Sequence, residues 1–338
     1  MTCSGALLWL ASLQAAGAAV FAVAALIDLG LRRRPAATRR ALWVVAITCA
    51  LALPLTRLAL PAPQLALAPA PAAVLLSVWT AGALVLLVRL LRAHAAARRL
   101  VARSRPLTDP AWHACLAELR GPRARLELRV STDVDTLLVA GVLRPAILVP
   151  ARTLAAPPDE RRALLAHELA HVARADTLLL LAGAIARTIY WITPAPWYAL
   201  RRLRAHAEDA ADDAALRTGI PSSSYAARLV AVARDRFARA GNSQDPANSP
   251  LIPAGGLRER IRAVLDVRRL RSLAPENPRE LPRLVAAALL LATMVTACEA
   301  RADEPVTVTA ASARGPRTAR RPPARADEPV TVTPTSAR

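Results

Sequence analysis

The first 105 residues carry a single acidic side chain, Asp28, and three long apolar runs, Ala6 to Leu31, Ala41 to Leu60 and Ala72 to Leu91. Each run approaches the roughly 20 residues that a helix needs to cross a bilayer. Helices are the expected form, because backbone polar groups surrounded by lipid must be satisfied within their own segment. Pro54 and Arg57 weaken the second run near its far end. The first run is too long for a cleaved signal peptide and has no basic cluster before it, so it reads as a retained anchor. Arg32, Arg33, Arg34, Arg39 and Arg40 separate runs one and two, and Arg89, Arg92, Arg98, Arg99, Arg103 and Arg105 follow run three. The excess of positive charge in cytoplasmic loops then puts these arginines in the cytosol and the N-terminus outside.

Composition narrows the chemistry. The 338 residues carry a formal net charge of +20, and the sequence contains no lysine, so all 45 basic residues are Arg. That excludes reactions built on a P-loop Lys or a Ser-x-x-Lys nucleophile. Cys3, Cys49, Cys115 and Cys298 are far apart, which argues against a disulfide framework or a cysteine zinc site. The arginine loops flank apolar runs, and no nucleic-acid motif accompanies them. Anionic membrane lipid is therefore the expected partner, and direct nucleic-acid binding is not expected.

Further along, four regions separate: a three-helix membrane region over 1–105, a globular cytosolic-side domain over 106–280, a fourth apolar run over 281–298, and a tail over 299–338. The globular region predicts strands at Leu126 to Val130 and Thr136 to Val149, with a turn at Gly141. Helices are expected at Asp159 to Arg174, with Asp159 as N-cap, and at Leu203 to Thr218, Ser222 to Arg239 and Leu257 to Arg271. The tail repeats the ten residues Ala300 to Thr309 at Ala324 to Thr333 and reads as disordered. Val295 to Cys298 resembles a lipobox but is better explained as a helix end.

The sharpest chemical signal is His167-Glu168-Leu169-Ala170-His171. Residues four apart share one helix face, so both imidazoles can reach one ion, and Glu168 stands beside them as a general base for a metal-activated water. A catalytic zinc needs a third protein ligand. Candidates are His206, Glu208, Asp209, Asp212 and Asp213, and Glu208 is the expected ligand. Asp212 lies one turn later on the same face, placed to orient the ligands from behind. Asp176, one turn past His171, is a further candidate to hold a ligand or an arginine in place. His206 is expected at the surface among Arg201, Arg202 and Arg204. His94 and His113 have no matching partners.

The metal constrains topology. If the apolar stretch Leu178 to Trp197 crossed the membrane once, His171 and Glu208 would lie on opposite sides. The stretch must be a buried helix or a re-entrant hairpin, and Arg187, Pro194 and Pro196 agree with a break.

Val142 to Pro150, His167 to Asp176, Tyr190-Trp191, Pro196-Trp197, Glu208 to Leu216, Tyr225-Ala226 and Leu257-Arg-Glu-Arg-Ile261 occur in an order that resembles the BlaR/MecR family of membrane zinc metallopeptidases, over about residues 1 to 298. The resemblance implies His167, His171 and Glu208 as zinc ligands, Glu168 as general base, and Asp212 as the carboxylate following the third ligand. It also implies a protein substrate in the cytosol, often a winged-helix repressor. The family often has Cys before that Asp, where this chain has Ala211. The best-known members carry a penicillin-binding sensor with a Ser-x-x-Lys nucleophile. With no lysine and 40 residues after Cys298, β-lactam acylation is not expected of this chain.

The resulting expectation is a mostly α membrane protein with about four transmembrane helices and an α+β zincin-like zinc metallopeptidase domain, its active site on the cytosolic side of the cell membrane. The alternative is a catalytically inactive signalling subunit that keeps the metal site for structure.

Overall fold

A computed structural model of the protein describes residues 3–57, 69–120, 126–240, 256–266, 268 and 280–302. The repeat-bearing tail from 303 on, most of the link between the second and third apolar runs, and most of the expected helix beyond Asp266 lie outside the described residues.

The three apolar runs form helices α1 (Cys3–Gly30), α2 (Ala36–Arg57) and α3 (Pro69–Arg103). All three are long and apolar enough to cross a membrane. A short helix α4 (Pro110–Arg120) follows, and then α5 (Pro158–Ala173), α6 (Asp176–Ile189), α7 (Ala195–Leu216), α8 (Ser222–Ala240) and α9 (Leu257–Leu265). The fourth apolar run lies in α10 (Glu280–Ala302), whose apolar stretch is only Pro282–Met294. Among the described residues that stretch is shorter than the roughly 20 residues of a full span. Through Ala288 and Ala292 it packs on Cys49 and Ala52 of α2.

Between α3 and α5 lies a four-stranded sheet of β1 (Arg105–Pro106), β2 (Glu127–Ser131), β3 (Leu138–Ala140) and β4 (Ala146–Pro150), in the order β1-β2-β4-β3. β3 and β4 form an antiparallel hairpin turned at Gly141, whose φ of 95° suits glycine. β2 pairs with β4 in parallel, Leu128 opposite Ile147. The strands share a core with Trp112 and Leu116 of α4 and Leu165 of α5. The sheet therefore braces the helix that carries the two histidines.

A second core lies where α6 and α7 enter the membrane helices. Leu13 and Phe21 of α1, Trp43, Ile47 and Leu53 of α2, and Leu179, Ala186, Tyr190, Ala199 and Leu203 pack together. α5 and α6 meet at a bend of 53°. The chain runs down α6, turns at residues 190–194, and returns along α7. Tyr190 and Trp191 fix the tip: a Cβ on Gly17 of α1 would collide with the Tyr190 ring, and one on Gly82 of α3 with the Trp191 ring. Each ring also donates a hydrogen bond to a helix carbonyl, Tyr190 Oη to Ala50 at 2.7 Å and Trp191 Nε1 to Trp79 at 3.1 Å. Of the two paths that the metal argument left open, a buried helix or a returning hairpin, the chain takes the second.

Two local expectations fail. Pro157, with no capping side chain, is the N-cap of α5, and Asp159 lies in its first turn. Proline at the start supplies the helical φ without needing a donor. And α7 begins at Ala195, well before Leu203, because Pro194 and Pro196 sit at its first turn, where proline is tolerated.

Candidate metal centre

α5 carries His167, Glu168 and His171, and α7 carries Glu208 and Asp212. The two helices approach closely through alanines: Ala170 packs on Ala211 and Ala214, all three buried. Small side chains at a helix crossing shorten the interaxial distance, and here they bring Glu208 opposite the histidine face. Ala211, just before Asp212, is part of that contact.

His167 Nε2 and His171 Nε2 are 3.3 Å apart. Glu208 Oε2 is 3.8 Å from His167 Nε2, and its Oε1 is 3.9 Å from His171 Nε2. All three ligand atoms fall within 4.8 Å of one another, and among the described residues this is the group of three that could hold a metal ion. Tetrahedral zinc with ligands at about 2.0–2.1 Å spaces its donors roughly 3.3 Å apart; the histidine pair already has that spacing, and Glu208 must close in by about half an ångström or more to complete it. Glu168, next to His167, is buried at 7% exposure.

The rings are aimed from behind. His171 Nδ1 is 2.8 Å from Asp176 Oδ2. His167 Nδ1 is 3.0 Å from the Tyr225 hydroxyl of α8, which donates to Asp212 Oδ1 at 2.8 Å. With a proton on each Nδ1, both Nε2 atoms turn bare lone pairs toward each other. A cation relieves that contact, so the donor set fits zinc by its chemistry as well as its spacing.

Arg260 of α9 closes the far side. Its Nε and Nη2 hold both oxygens of Asp212 at 2.8 and 2.6 Å, and its Nη1 reaches Glu208 Oε2 at 2.9 Å. Burial alone would raise the Asp212 carboxyl, but the Arg260 guanidinium overrides it and holds the acid well below the usual carboxylate range. Burial, with the Asp212 charge added, pushes the Tyr225 hydroxyl far up, so it stays a donor. Burial lowers the His171 imidazole, yet the Asp176 bond and the Glu208 and Glu168 charges raise it overall.

The sequence expectation thus brings together His167, His171 and Glu208, with Asp212 and Asp176 behind them. It places His206 wrongly. That ring is 2% exposed and lies 3.4 Å from Asp28 Oδ1, which also accepts from Arg39 at 2.7 Å, while Asp28 Oδ2 pairs with Arg202 at 3.0 Å. Burial first, and then the neighbouring Arg39 and Arg202 charges, push the imidazole down to about 3. Its arginine-rich surroundings suggested solvent, but α7 turns that face onto α1. Arg40, Arg174 and Arg260 were also not singled out. Only Arg260 had a signal, as part of Leu257-Arg-Glu-Arg-Ile261.

Three helices apolar and long enough to cross a membrane, with a histidine–histidine–glutamate cluster held between α5 and α7, are the parts of a membrane protein of the metallopeptidase class. The chain belongs to the BlaR1 peptidase M56 family, whose sequence profile matches residues 61–264. Over 107 residues it is 30% identical to Regulatory protein BlaR1 of Bacillus licheniformis. That stretch is 32% of this chain and 18% of the relative, so the chain matches under a fifth of that protein's length.

Proposed function

We propose that the chain is a multi-pass membrane zinc endopeptidase that hydrolyses peptide bonds of a cytosolic protein, a winged-helix repressor or similar regulator, with its α+β zincin-like domain at the cytosolic membrane surface. The observation that carries this reading is the convergence of His167, His171 and Glu208 from two helices onto one small volume. In this reading α10 completes a fourth span.

His167, His171 and Glu208 hold the zinc, which when bound supplies a Lewis acid for the scissile carbonyl and for water. Glu168 takes the proton of the attacking water and returns it to the leaving amine nitrogen. Asp176 directly, and Asp212 through the Tyr225 hydroxyl, keep each Nδ1 protonated and so keep the liganding faces pointed at one another. Arg260 neutralises part of the charge on Glu208 and Asp212.

The test pairs metal analysis of the purified chain with cleavage of co-expressed candidate repressors, comparing wild type with Glu168→Ala. The expected result is zinc in both proteins and cleavage lost by at least about a hundredfold in the variant. Equal processing by both ends the peptidase reading. Zinc in both, no cleavage by either and intact signalling would instead identify an inactive subunit with a structural metal.

A further inference from the structure

The peptidase reading requires ligands on α5 and α7, yet one contact to this centre comes from α2, a candidate membrane span. Arg40, in the first turns of α2, lies 136 residues before Asp176 in sequence. Its Nε donates to Asp176 Oδ1 at 3.0 Å, and its Nη2 donates to the Arg174 carbonyl at 2.7 Å. The guanidinium is 4% exposed and the carboxylate 3%. A buried charge pair at this depth is costly unless its hydrogen bonds are complete, and here they are shared out without overlap. Asp176 Oδ1 faces Arg40, while Oδ2 receives His171 Nδ1 at 2.8 Å and Arg174 Nε and Nη2 at 3.2 and 3.0 Å. Arg174 Nη2 also donates to the Ala207 carbonyl at 3.1 Å, immediately before Glu208.

Ala175, between these two residues, has a φ of 52°, a left-handed conformation that alanine rarely adopts. That kink folds Asp176 back onto the ring five residues behind it. Something must hold the elbow in this shape, and Arg40 grips it at both ends, by the carbonyl before Ala175 and the carboxylate after it.

We infer that Arg40 is a positioning residue of the metal centre. It fixes the Asp176 carboxylate, and through it the Nδ1–H tautomer and the aim of His171 Nε2. The inference rests on the zinc reading above. It makes α2, a candidate membrane span, a structural part of the metal site. A lysine could not replace it fully, because one ammonium cannot serve two acceptors with the fixed fork of a guanidinium.

The test is zinc affinity of the purified full-length chain, by competition with a chromogenic chelator, alongside the melting temperature of each metal-free protein. Asp176→Asn should lose between about tenfold and a hundredfold in affinity. Arg40→Met should lose about tenfold and Arg40→Lys a few-fold, and the double variant Arg40→Met/Asp176→Asn should bind within about twofold of Asp176→Asn alone. Arg39→Gln is the comparison, since Arg39, the neighbour of Arg40 on α2, bonds Asp28 and not Asp176. It should lower the melting temperature while leaving zinc affinity within about twofold.

Wild-type affinity in the Arg40 variants overturns the inference. So does an equal loss in Arg39→Gln, or losses from Arg40→Met and Asp176→Asn that simply add. If Arg40→Met does not fold, Arg40→Lys decides the matter on the same scale. A wild-type chain that takes up no zinc removes the metal reading and this inference together. A wild type that binds zinc beside an Arg40→Lys that binds equally well removes only the inference.

Discussion

α2 and α3 look alike as strings of letters, two apolar helices rich in Ala, Leu and Val, but the fold uses them in opposite ways. Of the apolar window of α2, 56% is buried inside the protein, against 6% for α3. α2 puts Trp43, Val44, Ile47 and Leu53 into the core around the hairpin and sends Arg39 and Arg40 to buried carboxylates. α3 leaves Val74, Leu75, Val78, Leu84, Val85, Val88 and Leu91 exposed along its length and meets the hairpin tip at Gly82. Hydropathy measures the preference for leaving water. It does not say whether lipid or protein receives the side chain.

The largest difference should appear on truncating a core aromatic of α2. Trp43 is fully buried, edge-on to Tyr198 with ring centroids 5.7 Å apart. Trp43→Ala should cost about 3–5 kcal/mol, read as a drop in unfolding free energy in detergent. A loss near zero would mean that α2 is no more embedded than α3. Smaller effects are expected at the two glycine contacts. Gly17→Val should be destabilising by about 1–3 kcal/mol, because the Tyr190 ring there is locked by its bond to the Ala50 carbonyl. Gly82→Val should cost less than Gly17→Val, since α3 can shift outward while α1 cannot; the reverse order would break the contrast. The smallest change belongs to the outer face of α3, where Leu84→Ala should stay within about 0.5 kcal/mol. A larger cost there would show that something covers that face.

Part of this was legible in the residues. The four-residue spacing of His167 and His171 put both on one face, and the demand that Glu208 join them forced the intervening apolar stretch to return. Those readings survive because they rest on helix periodicity, which is local. What escaped depends on residues distant in the chain. His206 looked solvated because its neighbours in sequence are arginines; its real partner, Asp28, lies on α1. That aspartate is the single acid among the first 105 residues, and the cost of burying a lone carboxylate was itself a hint that cations converge on it. Arg40 had no comparable mark, being one among 45 identical cations, and Arg260 stood out only within Leu257 to Ile261. The sheet order was also beyond a reading of alternation, which recognises β2 and β4 as strands but is silent on their parallel pairing outside the β3 hairpin.

The rings of Tyr190 and Trp191 act as dowels, and α6 is the rod between them and the elbow at Ala175. Fourteen residues of helix make that rod about 21 Å long. The histidine pair is therefore held at a set height above the sockets in α1 and α3. A polypeptide lying at the level of those sockets would need about six extended residues to climb to it.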